Sequence, residues 1–219
     1  KNIKISVGVN VNRAKFYPKK TARKILGIDK DEKIILFAIY NLSSYNKGGH
    51  LLKKSLKILE DKFLNDKNYN KDLVNVRLIT LGNKNDFSLG LDKIKWSHKG
   101  CISSDKQLNL YYRSADVLVS PSLYDFGPHV VNESVSNDLP VVAFEVGTAR
   151  DVIVSGVNGF LVPCYDNLKF ANSVQKIIFN KNNLINNSLR KKIKSFRSAA
   201  YEAKSFIKAS YKDIKNKKN

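Results

Sequence analysis

The stretch from residue 117 to residue 144 constrains the fold of this chain more than any other. It holds two short apolar runs, 117–119 and 141–144, separated by a loop rich in Pro and Gly and then by residues 129–137, which contain no helix breaker. Two apolar runs joined through a helix are typical of a βαβ unit with buried parallel strands. In sheets of this kind, ligands bind beyond the carboxyl ends of the strands, where the loops lie.

The loop of this unit carries groups that suit an activated sugar. Gly127 allows backbone to approach a ligand closely, and a helix that begins near Pro128 directs free N–H groups at it, which favours a phosphate. The side chains of Asp125 and Glu133 accept hydrogen bonds from sugar hydroxyls. A diphosphate with hydroxyl groups describes a nucleotide sugar, although Gly and Pro in such a loop also serve turn geometry alone.

The remaining pattern predicts further elements on both sides of this unit. Apolar runs predict strands at 3–7, 34–38, 74–81 and 160–162, with a turn at Gly82 after the third of them, and the alternating run 94–98 predicts an edge strand that ends at the surface residue His98. Apolar residues at helical spacing predict helices from about Lys20 to Gly27, over 52–63, from an N-cap at Ser104 to 115, over 170–178 and over 193–207.

Length and composition limit the classes that remain. A chain of 219 residues with 42% hydrophobic residues is expected to form one domain with a tail rather than a disordered segment. No apolar run approaches the roughly 20 residues of a membrane span. Two cysteines make no disulfide framework and favour a reduced, cytosolic compartment. The absence of Met indicates a fragment of a longer protein.

The net charge of +20 has several interpretations. A surface this basic attracts nucleic acid or anionic lipid headgroups. The excess of Lys over Arg, together with abundant Asn, is equally consistent with a general bias of composition on solvated faces. Basic residues do not alternate with exposed aromatics as they do in nucleic-acid-binding domains, so no nucleic-acid partner is expected.

Taken together, these segments resemble the donor-binding half of a family 4 retaining glycosyltransferase with the GT-B fold. The resemblance is carried by residues 121–134 with 139–153, in which Asp125 and Glu133, eight positions apart, match the paired acidic motif. The first carboxylate of that motif aligns with either Asp125 or Tyr124, and the spacing to Glu133 favours Asp125. The resemblance implies an α/β fold class: a Rossmann-like doubly wound parallel sheet, the C-terminal half of a GT-B fold.

The resemblance also implies roles for individual residues. Lys47 would contact the donor phosphates, Asp125 would orient the hydroxyls of the donor sugar, and Glu133 would accept hydrogen bonds from the ribose. The other donor-binding residues are expected to be Asn41, Gly48, Gly82, Cys101, Ile102, Phe126, Gly127, Pro128, His129 and Val130. Gly147 and Thr148 would face the same cleft, and no metal or other cofactor is required. One feature departs from the family, because Asn41 and Leu42 stand where a basic residue usually precedes the lysine.

The expected domain organisation is an interdomain segment with a first strand at 1–18, a nucleotide-sugar-binding domain at 19–210 and a basic tail at 211–219. The function expected is transfer of a hexose-type sugar, with retention, to a glycan or lipid-linked acceptor. Its partners would be the nucleotide-sugar donor, an N-terminal acceptor-binding domain of the same protein, and an anionic membrane at the cytoplasmic face. Without the acceptor-binding domain, this part is expected to be inactive. The alternatives are a basic nucleic-acid-binding domain and an interaction domain that binds no ligand.

Overall fold

The computed structural model of the protein describes residues 17–65, 75–125, 129–147 and 149–179. The strands in these ranges are β1 (Lys33–Asn41), β2 (Val76–Asn83), β3 (Lys95–His98), β4 (Val117–Ser120), β5 (Val141–Phe144) and β6 (Gly159–Val162). The helices are α1 (Lys19–Leu26), α2 (Gly49–Asn65), α3 (Asp105–Ser114), α4 (His129–Ser136), α5 (Ala149–Val152) and α6 (Asn167–Phe179), with a 3-10 turn at Tyr45–Lys47.

The six strands form one sheet in the order β3-β2-β1-β4-β5-β6. Each neighbouring pair is parallel. The chain therefore builds the sheet outward from β1 in one direction, returns to the centre, and continues from β4 in the other. This is the strand order of a doubly wound α/β fold. The fold class expected from the sequence is confirmed.

Both faces of the sheet are buried because the strands carry apolar side chains at almost every position. Ile35 and Phe37 of β1 pack with α2 and α6 on one side. Their neighbours Ile34 and Leu36 pack on the other side with α3, α4 and α5. Alternation along a single strand thus divides the core into two layers.

A buried arginine fastens α1 to the centre of the sheet. The Arg23 guanidinium donates to the carbonyl oxygens of Ser114 at 3.0 Å and Glu32 at 2.8 Å, and its Nη2 donates to Asp116 Oδ2 at 2.8 Å. The same carboxylate oxygen accepts the backbone N–H of Ile34 at 2.7 Å. One side chain therefore connects α1, the start of β1 and the turn between α3 and β4.

Several predicted elements are confirmed at their termini. The first helix ends at Gly27, whose φ of 64° closes it in the left-handed conformation. Ser104 caps α3, since its Oγ accepts the Gln107 N–H at 3.4 Å. The run 94–98 forms the edge strand β3. The strand predicted at 3–7, the helix predicted over 193–207 and the basic tail lie outside the described residues.

Two expectations were wrong, the turn at Gly82 and the surface position of His98. Strand β2 does not turn at Gly82 but continues to Asn83. The register of β1 shifts between Ala38 and Asn41, and a Cβ at Gly82 would lie 1.6 Å from the Ile39 carbonyl oxygen. Gly82 therefore allows a close backbone contact inside the strand.

His98, expected at the surface, is half-buried. Its Nδ1 lies 3.0 Å from Thr80 Oγ1, so the partner on the next strand draws the ring inward. None of the helices in the described ranges is both long and apolar enough to cross a membrane.

Candidate active site

The site lies where the sheet reverses its direction of growth. Strands β1 and β4 are neighbours, but the chain leaves them toward opposite sides, which opens a crevice at their carboxyl ends. The two loops that follow these strands touch there. The Leu123 N–H donates to the Asn46 carbonyl oxygen at 2.8 Å. Gly48, with a φ of 70°, packs so closely on Pro121 that a Cβ would stand 1.9 Å from its carbonyl oxygen.

This contact brings together two of the predicted catalytic residues. The Lys47 Nζ lies 2.6 Å from Asp125 Oδ2, and the side chains are 34% and 14% exposed. The Tyr45 ring stacks on His50 with centroids 4.5 Å apart, which steadies the turn that carries the lysine. The neighbouring Tyr124 is 61% exposed. The loop after β4 therefore presents Asp125 to the ammonium group.

A cleft of about 170 Å³ opens at the same edge of the sheet. Its walls come from the carboxyl ends of β1 and β2, the loop after β3, and the helices α3 and α4. Most of the lining is apolar: Ala38, Ile39, Tyr40, Leu81, Gly82, Cys101, Ile102, Leu108, Tyr112, Val130 and Glu133. The cleft thus joins five predicted site residues, namely Gly82, Cys101, Ile102, Val130 and Glu133.

Glu133 brings a carboxylate into this mostly apolar cleft. It lies on α4, and its Oε2 accepts a hydrogen bond from the Tyr112 hydroxyl at 2.7 Å. Burial raises the pKa of Glu133 above its ordinary value, while the Tyr112 hydrogen bond and the charge of His129 oppose that rise and Asp105 adds to it. Burial and the neighbouring carboxylate also raise the pKa of Tyr112. Tyr112 therefore remains a hydrogen-bond donor.

Other predicted residues do not line the cleft. Asn41 closes its own loop, because its Oδ1 accepts the Ser43 N–H at 2.9 Å and the Asn85 amide at 3.1 Å. Gly48 supports the contact between the two loops, and His129 is exposed at the start of α4. Three further predicted site residues lie outside the described residues: Phe126, Gly127 and Pro128. Thr148 lies outside them as well.

Sequence reasoning missed the part that Tyr112 plays. Tyr112 lies in the helix predicted from Ser104 to residue 115, where apolar spacing indicates burial, and it is 1% exposed. A buried tyrosine requires a partner for its hydroxyl group, and that requirement was the available signal. The identity of the partner was not available, because Glu133 lies 21 residues further along the chain.

The arrangement combines three kinds of recognition. The apolar walls suit a flat ring, the Glu133 carboxylate accepts from hydroxyl groups, and the Lys47 ammonium attracts an anion. Within the described ranges, no group of three or more His, Cys, Asp or Glu side chains is placed to hold a metal ion.

Two curated proteins are similar to this chain in sequence. An uncharacterized glycosyltransferase of Methanocaldococcus jannaschii is 33% identical over 146 residues, which make up 64% of this chain and 34% of that protein. A D-inositol 3-phosphate glycosyltransferase of Xylanimonas cellulosilytica is 29% identical over 159 residues, 68% of this chain and 34% of that protein. The chain thus spans about a third of the length of the curated relatives that it matches.

Solved structures share the fold at lower identity. A sucrose-phosphate synthase from Thermosynechococcus elongatus superposes with a TM-score of 0.73 at 23% identity, covering 97% of this chain and 52% of that one. The Anabaena protein HepE, solved in complex with UDP-glucose, superposes with a TM-score of 0.69 at 21% identity, covering 94% of this chain and 57% of that one.

The model of one protein family, glycosyl transferases group 1, matches residues 18–200. This range includes the crevice between β1 and β4, the Lys47 turn and the cleft that Glu133 lines. The chain therefore belongs to the glycosyl transferases group 1 family.

Proposed function

We propose that this chain is the donor-binding half of a retaining glycosyltransferase of family 4. One observation carries the proposal: Lys47 and Asp125 meet at 2.6 Å across the reversal point of the sheet, at the same edge as the cleft that holds Glu133. An anion site beside a hydroxyl-accepting, largely apolar slot matches the three parts of a nucleotide sugar: diphosphate, sugar and nucleoside.

Each group has a distinct role in this scheme. The nucleobase enters the apolar cleft near Cys101 and Ile102, and the ribose hydroxyls donate to Glu133. Lys47 binds the diphosphate and stabilises the charge that develops on it as the bond to the sugar breaks. Asp125 accepts from hydroxyls of the donor sugar. A bound donor replaces the contact between Lys47 and Asp125 with contacts to phosphate and to sugar.

The relatives support a hexose donor and a second domain. HepE was solved with UDP-glucose, and the Xylanimonas relative is described as a glycosyltransferase of D-inositol 3-phosphate. This chain matches about a third of each curated relative, and it resembles the C-terminal half of a GT-B fold. We therefore propose that the acceptor-binding domain is an N-terminal part of the same protein. The acceptor proposed is a glycan or a lipid-linked glycan at the cytoplasmic face of a membrane, and this chain alone is expected to be inactive.

Nucleotide binding by the 219-residue chain tests the proposal. Calorimetric titration with UDP, GDP and ADP and their hexose conjugates is expected to give binding with at least one base. Lys47→Ala and Glu133→Ala are each expected to weaken it at least about tenfold, since each removes a charge-assisted contact. Lys57→Ala is the matched control, because Lys57 also pairs with carboxylates but lies well along α2.

Unchanged affinity in both site variants would contradict the residue assignments. A wild-type chain that binds no nucleotide but binds DNA or RNA tightly, with strong dependence on salt, would instead support the nucleic-acid alternative.

A further inference from the structure

The buried hydroxyl of Tyr112 is the clearest polar group near the site that has no role in the scheme above. Its ring is 1% exposed among the apolar residues between α3 and the sheet. The helix that carries it is fixed relative to α4, because Arg113 Nη1 donates to the Asn137 carbonyl oxygen at 2.7 Å just beyond the end of α4. The burial of Tyr112 and the hydrogen bond between the two helices therefore both fix the 2.7 Å contact between Tyr112 and Glu133.

The hydrogen bond from Tyr112 makes the two oxygens of the Glu133 carboxylate different, because only one of them accepts it. Tyr112 occupies Oε2. Among the residues that the structure describes, no hydrogen bond to Oε1 is found, and the side chain lines the cleft. A carboxylate in a mostly apolar cleft tends toward its neutral form, whereas a hydroxyl that donates to it favours the charged form. Tyr112 thus fixes the orientation of Glu133 and favours its ionised state.

We infer that Tyr112 is a positioning residue of the donor site: its hydroxyl fixes the orientation of the Glu133 carboxylate and leaves Oε1 available to accept hydrogen bonds from a diol of the nucleotide ribose. This inference rests on the proposed function. It concerns how the ribose is held and adds a residue that acts through Glu133.

The pH dependence of binding distinguishes this role from simple packing. The groups that act on Glu133 are Tyr112 and Asp105 on α3 and His129 on α4. Nucleotide affinity is expected to fall as pH falls through the pKa of Glu133. Removing the Tyr112 hydroxyl removes an interaction that lowers this pKa, so the pKa rises and the loss of affinity moves to higher pH.

The experiment compares Tyr112→Phe with Tyr111→Phe in the 219-residue chain. Tyr111 is the adjacent buried tyrosine, 6% exposed, and it does not line the cleft. Calorimetric titrations with UDP, GDP and ADP across a range of pH are expected to show about tenfold weaker binding by Tyr112→Phe, with its pH profile displaced to higher pH. Tyr111→Phe is expected to match the wild type in both respects.

Two further measurements separate the possible failures. The ¹³C shift of the Glu133 carboxyl, assigned with Glu133→Gln, reports its pKa without any ligand, and it is expected to be higher in Tyr112→Phe. In the Glu133→Gln background, adding Tyr112→Phe should not change how nucleotide affinity depends on pH, because Gln does not titrate. If the wild type binds nucleotide and the affinity of Tyr112→Phe depends on pH in the same way, the inference about Tyr112 is wrong and the proposed function stands. Failure of the wild type to bind any nucleotide would overturn the proposed function together with it.

Discussion

Replacing Gly48 with alanine tests whether the two loops of the site touch as described. Gly48 has a φ of 70°, and a Cβ there would stand 1.9 Å from the carbonyl oxygen of Pro121. Gly27 has a similar φ of 64°, but nothing lies within 4 Å of its Cβ position. The two positions therefore separate the cost of left-handed backbone from the cost of a collision.

The expected loss of stability follows from these two costs. Left-handed backbone costs a residue with a side chain about 1 kcal/mol, which is the loss expected for Gly27→Ala. Gly48→Ala carries the same cost, and collision with a backbone atom adds about 1–3 kcal/mol. For a chain of 219 residues, each kcal/mol moves the melting temperature by about 2–4 °C. Gly48→Ala is thus expected to melt about 2–12 °C below Gly27→Ala.

Differential scanning calorimetry of the wild type and the two variants gives the melting temperatures, and titration with UDP, GDP and ADP gives nucleotide affinities below the transition. The collision moves the Lys47 turn away from Asp125, so Gly48→Ala is also expected to weaken nucleotide binding. Gly27→Ala is expected to bind as the wild type does. Equal losses of melting temperature in the two variants would refute the contact between the loops.

Two further predictions concern the frame and the cleft. Arg23→Lys is expected to lower the free energy of unfolding in urea by about 3 kcal/mol or more, because an ammonium cannot reproduce the guanidinium contacts with Asp116 and the carbonyl groups. The control is Lys24→Arg, at an exposed position, which should not change stability. Equal urea midpoints for the two variants would contradict the role of Arg23 in joining α1 to the sheet. Cys101 lines the cleft and Cys164 does not, so nucleotide at about ten times its Kd should slow alkylation of Cys101 by iodoacetamide about tenfold without slowing that of Cys164. Equal rates with and without UDP, GDP and ADP would contradict the position of the site.

The sequence predicted the layered sheet because the evidence for it is local. An apolar run such as 34–38 is buried whichever strand lies beside it, and its short length favours a strand over a helix. The cap at Ser104 and the stop at Gly27 depend on neighbouring residues only. These features followed from spacing and turn chemistry without any knowledge of tertiary contacts.

The features that were missed depend on residues distant in the chain. The continuation of β2 through Gly82 results from the irregular end of β1, and the inward position of His98 results from Thr80 on the adjacent strand. The pairing of Tyr112 with Glu133 requires α3 and α4 to lie side by side. Spacing within a single element contains no information about such pairs, and only the assembled sheet determines them.

The reversal of the sheet between β1 and β4 has a consequence for assembly. Lys47 and Asp125 lie 78 residues apart in sequence, so neither half of the chain can form their contact alone. A ligand that binds Lys47 and Asp125 together therefore binds the folded domain and does not bind the unfolded chain. Such a ligand would act as a chaperone for this protein, because its binding energy adds to the native state alone and protects the domain from unfolding.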